Sequence, residues 1–179
     1  MKQQYSVLAL SGFILATGSV AATNAFAATN PRVLYGNSAS ICQGALPSFD
    51  TAIRKRPLAV QNESASTVFV TCAFLSQGAL GASTNNPTQV TLWFNTNSGA
   101  DTVINCTGVS GFHTSPNQFI VKAITAPASG ARTVAFWNAA DFDGAPANFP
   151  SGAFSVSCSL PAGAAIDDVR VSYEEEIGA

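Results

Sequence analysis

Apolar and polar residues alternate along "FSVSCSLPAG" (154–163), with Phe154, Val156, Cys158 and Leu160 on one side and Ser155, Ser157 and Ser159 on the other. A period of two places the two sets on opposite faces of a β-strand. The pattern recurs. "STVFVTCAFL" (66–75) sets Val68, Val70, Cys72 and Phe74 on one face, and "TQVTLWF" (88–94) sets Val90, Leu92 and Phe94 there with Trp93 opposite. "TVINCTG" (102–108) carries Ile104 and Cys106 in register. "QFIVKAI" (118–124), "RTVAFWN" (132–138), "DVRVSY" (168–173) and "PLAVQN" (57–62) predict further strands, and no long helical pattern intervenes. Turn-rich stretches such as "GASTNNP", "NTNSGAD", "PASGA" and "DGAPANFPSG" separate them. Seven to nine short strands so divided predict an all-β fold, an antiparallel β-sandwich of immunoglobulin-like or jelly-roll-like type.

The N-terminal residues break this pattern. Lys2 is the only charge before Arg32, Val7 to Ala16 form a short apolar run, and "AFA" ends at Ala27. These features predict a signal peptide over 1–27, cleaved after Ala27. The apolar run is too short to span a bilayer, so no membrane association is expected after cleavage, and the mature protein is secreted or periplasmic. Residues 28–179 then form a single domain, with no internal boundary, large enough to bury a core.

Charge adds a restriction on partners. Eight basic and ten acidic residues give a formal net charge of −2. A nucleic-acid partner would call for a basic face, which this chain lacks.

The four cysteines, Cys42, Cys72, Cys106 and Cys158, predict two disulfides in an exported chain. Zinc fails on spacing, because no C-x-x-C pair exists and His113 is the sole histidine. Three connectivities are open. Cys72–Cys158 would mimic the pin between the sheets of an immunoglobulin domain, whereas sequential pairing would tie down the N-terminal segment and staple a central strand to a late one.

"SICQG", "NES" before "VFVTC", then "VTLWF", "INC" and "VSCSLPAG" followed by "IDDVRVSY" resemble a group of uncharacterised exported bacterial single-domain β-sandwich proteins with four similarly placed cysteines. The resemblance covers nearly all of residues 28–179 and implies the sequential pairing, Cys42–Cys72 and Cys106–Cys158. It brings no catalytic or ligand residue with it. Members often have proline after the second cysteine, where this chain has Ala73.

Candidate chemistry is sparse. His113 lies in the turn-like "SGFHTSPN", and no serine sits in a G-x-S-x-G elbow. Among carboxylates, Asp167 and Asp168 are adjacent on a strand and should point to opposite faces, and Glu174 to Glu176 form a solvated C-terminal run. Asp141 and Asp143, two apart in "DFDG", can share a side and echo the start of a calcium loop, but the remaining ligands of an EF-hand are missing. The single basic cluster, "RKRP" (54–57), reads as a solvated loop. "NES" (62–64) and "NCT" (105–107) match the N-glycosylation pattern, to which a bacterial-type leader gives little weight.

Aromatic rings remain. Trp93 lies opposite the apolar face of its strand, and Phe142 and Phe149 fall in the longest turn region. Trp93, Phe142, Asp141 and Asp143 are therefore the candidate ligand-binding residues, with an exposed ring packing on a sugar. The chain reads as a non-enzymatic binding or adhesion module for an extracellular glycan or protein, with no catalytic residue, metal or cofactor. A self-associating structural subunit of the envelope or matrix, using its sheet edges, is the alternative.

Overall fold

The computed structural model describes residues 28–75, 86–111, 117–142 and 148–177. The predicted leader, His113 and Asp143 lie outside them. Eleven strands are present among the described residues, two or more beyond the number read from sequence: β1 (Thr29–Asn37), β2 (Cys42–Gly44), β3 (Ile53–Arg56), β4 (Ala59–Asn62), β5 (Val68–Leu75), β6 (Pro87–Thr96), β7 (Thr102–Ser110), β8 (Gln118–Ala126), β9 (Thr133–Asn138), β10 (Ala153–Leu160) and β11 (Ala164–Glu176). Two single-turn helices, α1 (Ser38–Ile41) and α2 (Pro47–Asp50), precede and follow β2.

The strands pair antiparallel in two sheets that form a sandwich. The front sheet runs β3-β4-β11-β6-β9, with β1 also paired to β11, and the back sheet runs β2-β5-β10-β7-β8. β10 and β11 follow one another in sequence yet occupy the middle of opposite sheets. β11 is 13 residues long, which lets its first part pair with β4 and its remainder with β1 along the same side.

The alternating positions close the core. Val70, Cys72, Val90, Leu92, Phe94, Ile104, Val156 and Leu160 are all fully buried, as the period of two requires when each sheet has one dry face. Trp137 on β9 also points inward, and its indole Nε1 donates to the Ile120 carbonyl at 3.2 Å. It lies across Gly108, where an added Cβ would come within 2.5 Å of Nε1. The glycine makes room for the ring.

The disulfides are Cys42–Cys72 and Cys106–Cys158, the sequential pairing. Each joins residues directly opposite on neighbouring strands, β2 with β5 and β7 with β10. Both bonds therefore staple the back sheet to itself and do not pin one sheet to the other.

β1, β2 and β3 escape the period-of-two reading for physical reasons. β1 lies mostly exposed and contains Pro31, β2 has three residues, and β3 is "IRKR", with only Ile53 buried. The basic cluster read as a loop is thus a front-sheet edge strand, in which Arg54 and Arg56 both pair with Glu63.

Candidate functional site

On the front sheet, the residues of β6 that do not enter the core are Gln89, Thr91, Trp93 and Asn95, one along every second position. Their neighbours on β11 would follow the same alternation, but the register slips. Ile166 pairs with Phe94 and Val169 with Leu92, so Asp167 and Asp168 together oppose Trp93. This is a β-bulge, which re-aims the extra side chain.

Both carboxylates consequently converge. Arg132 Nε donates to Asp167 Oδ2 at 3.1 Å, and Arg132 Nη2 donates to Asp168 Oδ2. Asn95 Nδ2 donates to the other Asp167 oxygen at 2.6 Å. The sequence reading, which separated the two aspartates onto opposite faces, is corrected here: strict alternation fails where a bulge inserts a residue. Burial raises the Asp167 pKa above its ordinary value, outweighing the lowering by Asn95 and Arg132. Arg132 is raised in turn, chiefly by its hydrogen bond to Asp168.

Trp93 does face outward, as its parity requires, but it is not a bare ring. The guanidinium carbons of Arg132 and Arg170 each lie 5.8 Å from its centroid, within cation–π range. Arg170 also donates through Nη2 to Gln89 at 2.6 Å and Thr91 at 3.2 Å. The indole thus acts as a spacer that fixes two cations on the sheet surface.

Beside this cluster lies a cleft of about 530 Å³. Its floor is Ala165, the register partner of both Gln61 on β4 and Asn95 on β6. A small side chain flanked by two longer planar amides leaves a recess. One wall is the Arg132–Asp167–Asp168 cluster. The other is the β3–β4 turn, where Leu58 is 73% exposed, and Asn37 Nδ2 holds that turn through the Pro57 carbonyl. The charges within reach are internally matched: Arg56 pairs with Glu63, and Arg132 with the two aspartates. What the cleft offers is planar donors and acceptors above an apolar lip.

The other sequence candidates fall elsewhere. Phe142 is fully buried and Phe149 nearly so, their rings tilted against each other with centroids 5.0 Å apart, and Phe149 also lies 5.0 Å from Phe154. Phe142 is corrected from ligand-facing ring to core residue, because it and Phe149 pack inward against Phe154. Asp141 accepts from Lys122 Nζ at 2.9 Å and from the Asn138 amide at 2.8 Å, which ties it into a local cap. Asp143 lies outside the described residues. Among the described residues no group of three or more His, Cys, Asp or Glu side chains could hold a metal ion. The structure does not bring Trp93 and Asp141 to one site.

Sequence reasoning missed Leu58, Gln61, Asn95, Arg132 and the convergence at Asp167 and Asp168. One signal was present. In "AIDDVRV" (165–171), the apolar spacing widens from two to three between Ile166 and Val169, the mark of a bulge.

The fold is that of an antiparallel β-sandwich with one cleft-bearing polar face. No family model and no curated protein matches the chain. Among solved structures it is similar to a family 61 carbohydrate-binding module in complex with β-1,4-galactotriose, with TM-score 0.42 and 10% identity over 80% of this chain and 88% of that one. It is similar also to a family 11 carbohydrate-binding module from Clostridium thermocellum in complex with a mixed-linked tetrasaccharide, with TM-score 0.39 and 10% identity over 79% and 88% of the respective chains. A family two carbohydrate esterase from Cellvibrio japonicus gives TM-score 0.41 and 8% identity, over 84% of this chain and 36% of the esterase.

Proposed function

We propose that the protein is an exported, non-catalytic module that binds a neutral saccharide in the front-sheet cleft. The cleft itself carries this reading. Saccharides present closely spaced hydroxyls, each both donor and acceptor, around an apolar ring face. Gln61, Asn95 and the Arg132–aspartate cluster supply planar hydrogen-bonding groups, and Leu58 supplies the apolar contact. A few polar groups placed against an apolar wall are the ordinary make-up of a small-ligand site. Because the cations of the cleft are already paired, an ionic ligand would have to displace an internal salt bridge, whereas a neutral polyol does not.

The surrounding face extends the same chemistry. Tyr35, Arg170, Thr91 and Phe136 form one cross-strand row, with Tyr35 75% and Phe136 46% exposed. The leader-like first 27 residues and the two disulfides support export.

The test is calorimetric titration of the oxidised protein with soluble oligosaccharides drawn from several linkage classes. Binding to at least one class is expected. Asn95→Ala should weaken it tenfold or more, since the substitution removes a donor and frees Asp167, and Ala165→Leu should abolish it by filling the recess. Heat released equally by wild type and both variants would place the ligand elsewhere, and no heat with any class would remove the proposal.

A further inference from the structure

The outer face of the back sheet is chemically unlike the front. Register places Phe69, Ser159, Asn105 and Ala123 in one cross-strand row. Thr71, Ser157, Thr107 and Val121 form the next, and Ala73, Ser155, Val109 and Phe119 the third. No Asp, Glu, Lys or Arg occupies an outward position on any of the five strands. An exposed sheet face of this extent ordinarily carries interspersed charges. Among the described residues the charged side chains stand on the other sheet and around the margins, Arg32, Arg132, Arg170, Asp167 and Asp168 among them.

The arrangement within the face is also inverted relative to a protein–protein interface, which has an apolar centre and a polar rim. The centre of this face is hydroxyl, from Ser155, Ser157, Thr71 and Thr107. The largest apolar side chains lie outermost, with Phe119 63% and Val121 67% exposed on the edge strand β8 and Phe69 48% exposed towards the other side. The hydroxyls are spare. Among the described residues the hydroxyls of Ser155, Thr107 and Thr125 have no hydrogen-bond partner, and Thr71 reaches Ser157 only at 3.5 Å. Short side chains lose little rotamer entropy when covered. Strands about 4.8 Å apart repeat these groups at a regular interval. Directly beneath, both disulfides staple neighbouring strands of this same sheet, holding the plate in shape before anything docks.

We propose that this face is a second binding surface, separate from the cleft, and that it docks on the ordered surface of an insoluble, uncharged polysaccharide. Charge complementarity selects such a partner: a surface without charge gives nothing to an ionic polymer and desolvates readily against a neutral one. Hydroxyls at the centre meet hydroxyls of the polymer, and the apolar rim excludes water around them.

The oxidised protein is mixed with powders of crystalline cellulose, crystalline chitin and an insoluble β-1,3-glucan, and the supernatant is assayed after sedimentation at low and high salt. Depletion by at least one powder, unchanged by salt, is expected. Thr107→Lys and Ser157→Lys should each reduce it tenfold or more with the thermal midpoint unchanged, while Thr107→Ser retains it. Soluble-oligosaccharide titration should be unaltered in all three variants, which separates this surface from the cleft. Failure of every powder to deplete the protein would overturn the proposal, as would equal depletion by the lysine variants. A wild-type dimer in sedimentation equilibrium that the same lysines dissolve would overturn it in favour of a second copy as the occupant.

Discussion

Arg132 Nε donates to Asp167 at 3.1 Å from the residue just before β9, one position beyond the last pair of β9 with β6. The contact exists because the bulge turns both Asp167 and Asp168 outward beside Trp93. It has a measurable electrostatic consequence. Asp167 is 7% exposed, and desolvation lifts its pKa above the ordinary 3.8 in spite of its donors. The folded state therefore holds this proton more tightly than the unfolded chain does.

Linkage gives the sign of the effect on stability. A carboxyl whose folded pKa is raised stabilises the fold in its protonated form, and that contribution is lost as pH climbs from the unfolded value of 3.8 through the raised one. This is opposite to a carboxylate whose pKa is depressed by its partners. Asp167→Asn should remove that fall. Urea midpoints of wild type and variant, compared across the acid range, are expected to diverge in the window just above 3.8, and parallel curves would refute the assignment.

Gly108 sets a second expectation. An alanine there would place its Cβ 2.5 Å from Trp137 Nε1 and 2.9 Å from the Phe154 ring, in a core with no slack. Gly108→Ala should cost about 1–3 kcal/mol, the usual range for overpacking, and should break the indole bond to the Ile120 carbonyl. A shift in tryptophan fluorescence together with a lowered urea midpoint would show both effects. Unchanged stability would mean that the ring moves aside freely.

The two disulfides should differ in where their loss is felt. Each closes a loop, of sequence separation 30 or 52, for which chain entropy predicts roughly 4 kcal/mol in either case. Their positions are not equivalent. Cys106–Cys158 joins two interior strands, whereas Cys42–Cys72 holds the three-residue edge strand β2. Replacing Cys42 and Cys72 by alanine is expected to speed amide exchange through residues 42–50 well beyond the rest of the sheet. The corresponding Cys106 and Cys158 replacement should lower protection across β7, β8 and β10 together.

How far the sequence announces all this depends on burial. β5, β6, β7 and β10 have one dry face, so their alternation is strict and their strands are legible to within a few residues. β1 and β3 lie at the periphery, where exposure removes the constraint that writes the pattern. The cleft was hidden for a different reason. Gln61, Asn95 and Arg132 belong to three separate segments, and only the pairing of β4, β11 and β6 unites them. Phe142 misled because a ring in a turn-rich stretch reads as exposed, and nothing local records that it packs edge-on against Phe154. Trp93 was placed on the correct face, while the two arginines that cover it came from distant positions.

Lys122 decides what the open edge of the back sheet can do. β8 ends that sheet and offers an unpaired strand with Phe119 and Val121 exposed, a template on which a second copy could pair. Lys122 faces the interior opposite Cys106, with its ammonium bonded to Asp141 at 2.9 Å and lying 5.6 Å above the Phe136 ring. An inward charge on an edge strand opposes such pairing, because antiparallel addition of a twin would bring another lysine against the same desolvated strip. Lys122→Val removes that obstacle and introduces a β-branched side chain of the kind strands favour. It forfeits a part-exposed ion pair, worth under about 1 kcal/mol, and Asp141 retains the Asn138 amide. The variant should therefore fold and associate with rising concentration, as followed by sedimentation velocity, while the wild type stays monomeric. A wild type that assembles unaided would support the structural-subunit alternative, and a variant that remains monomeric would show that β8 is guarded by some feature other than its lysine.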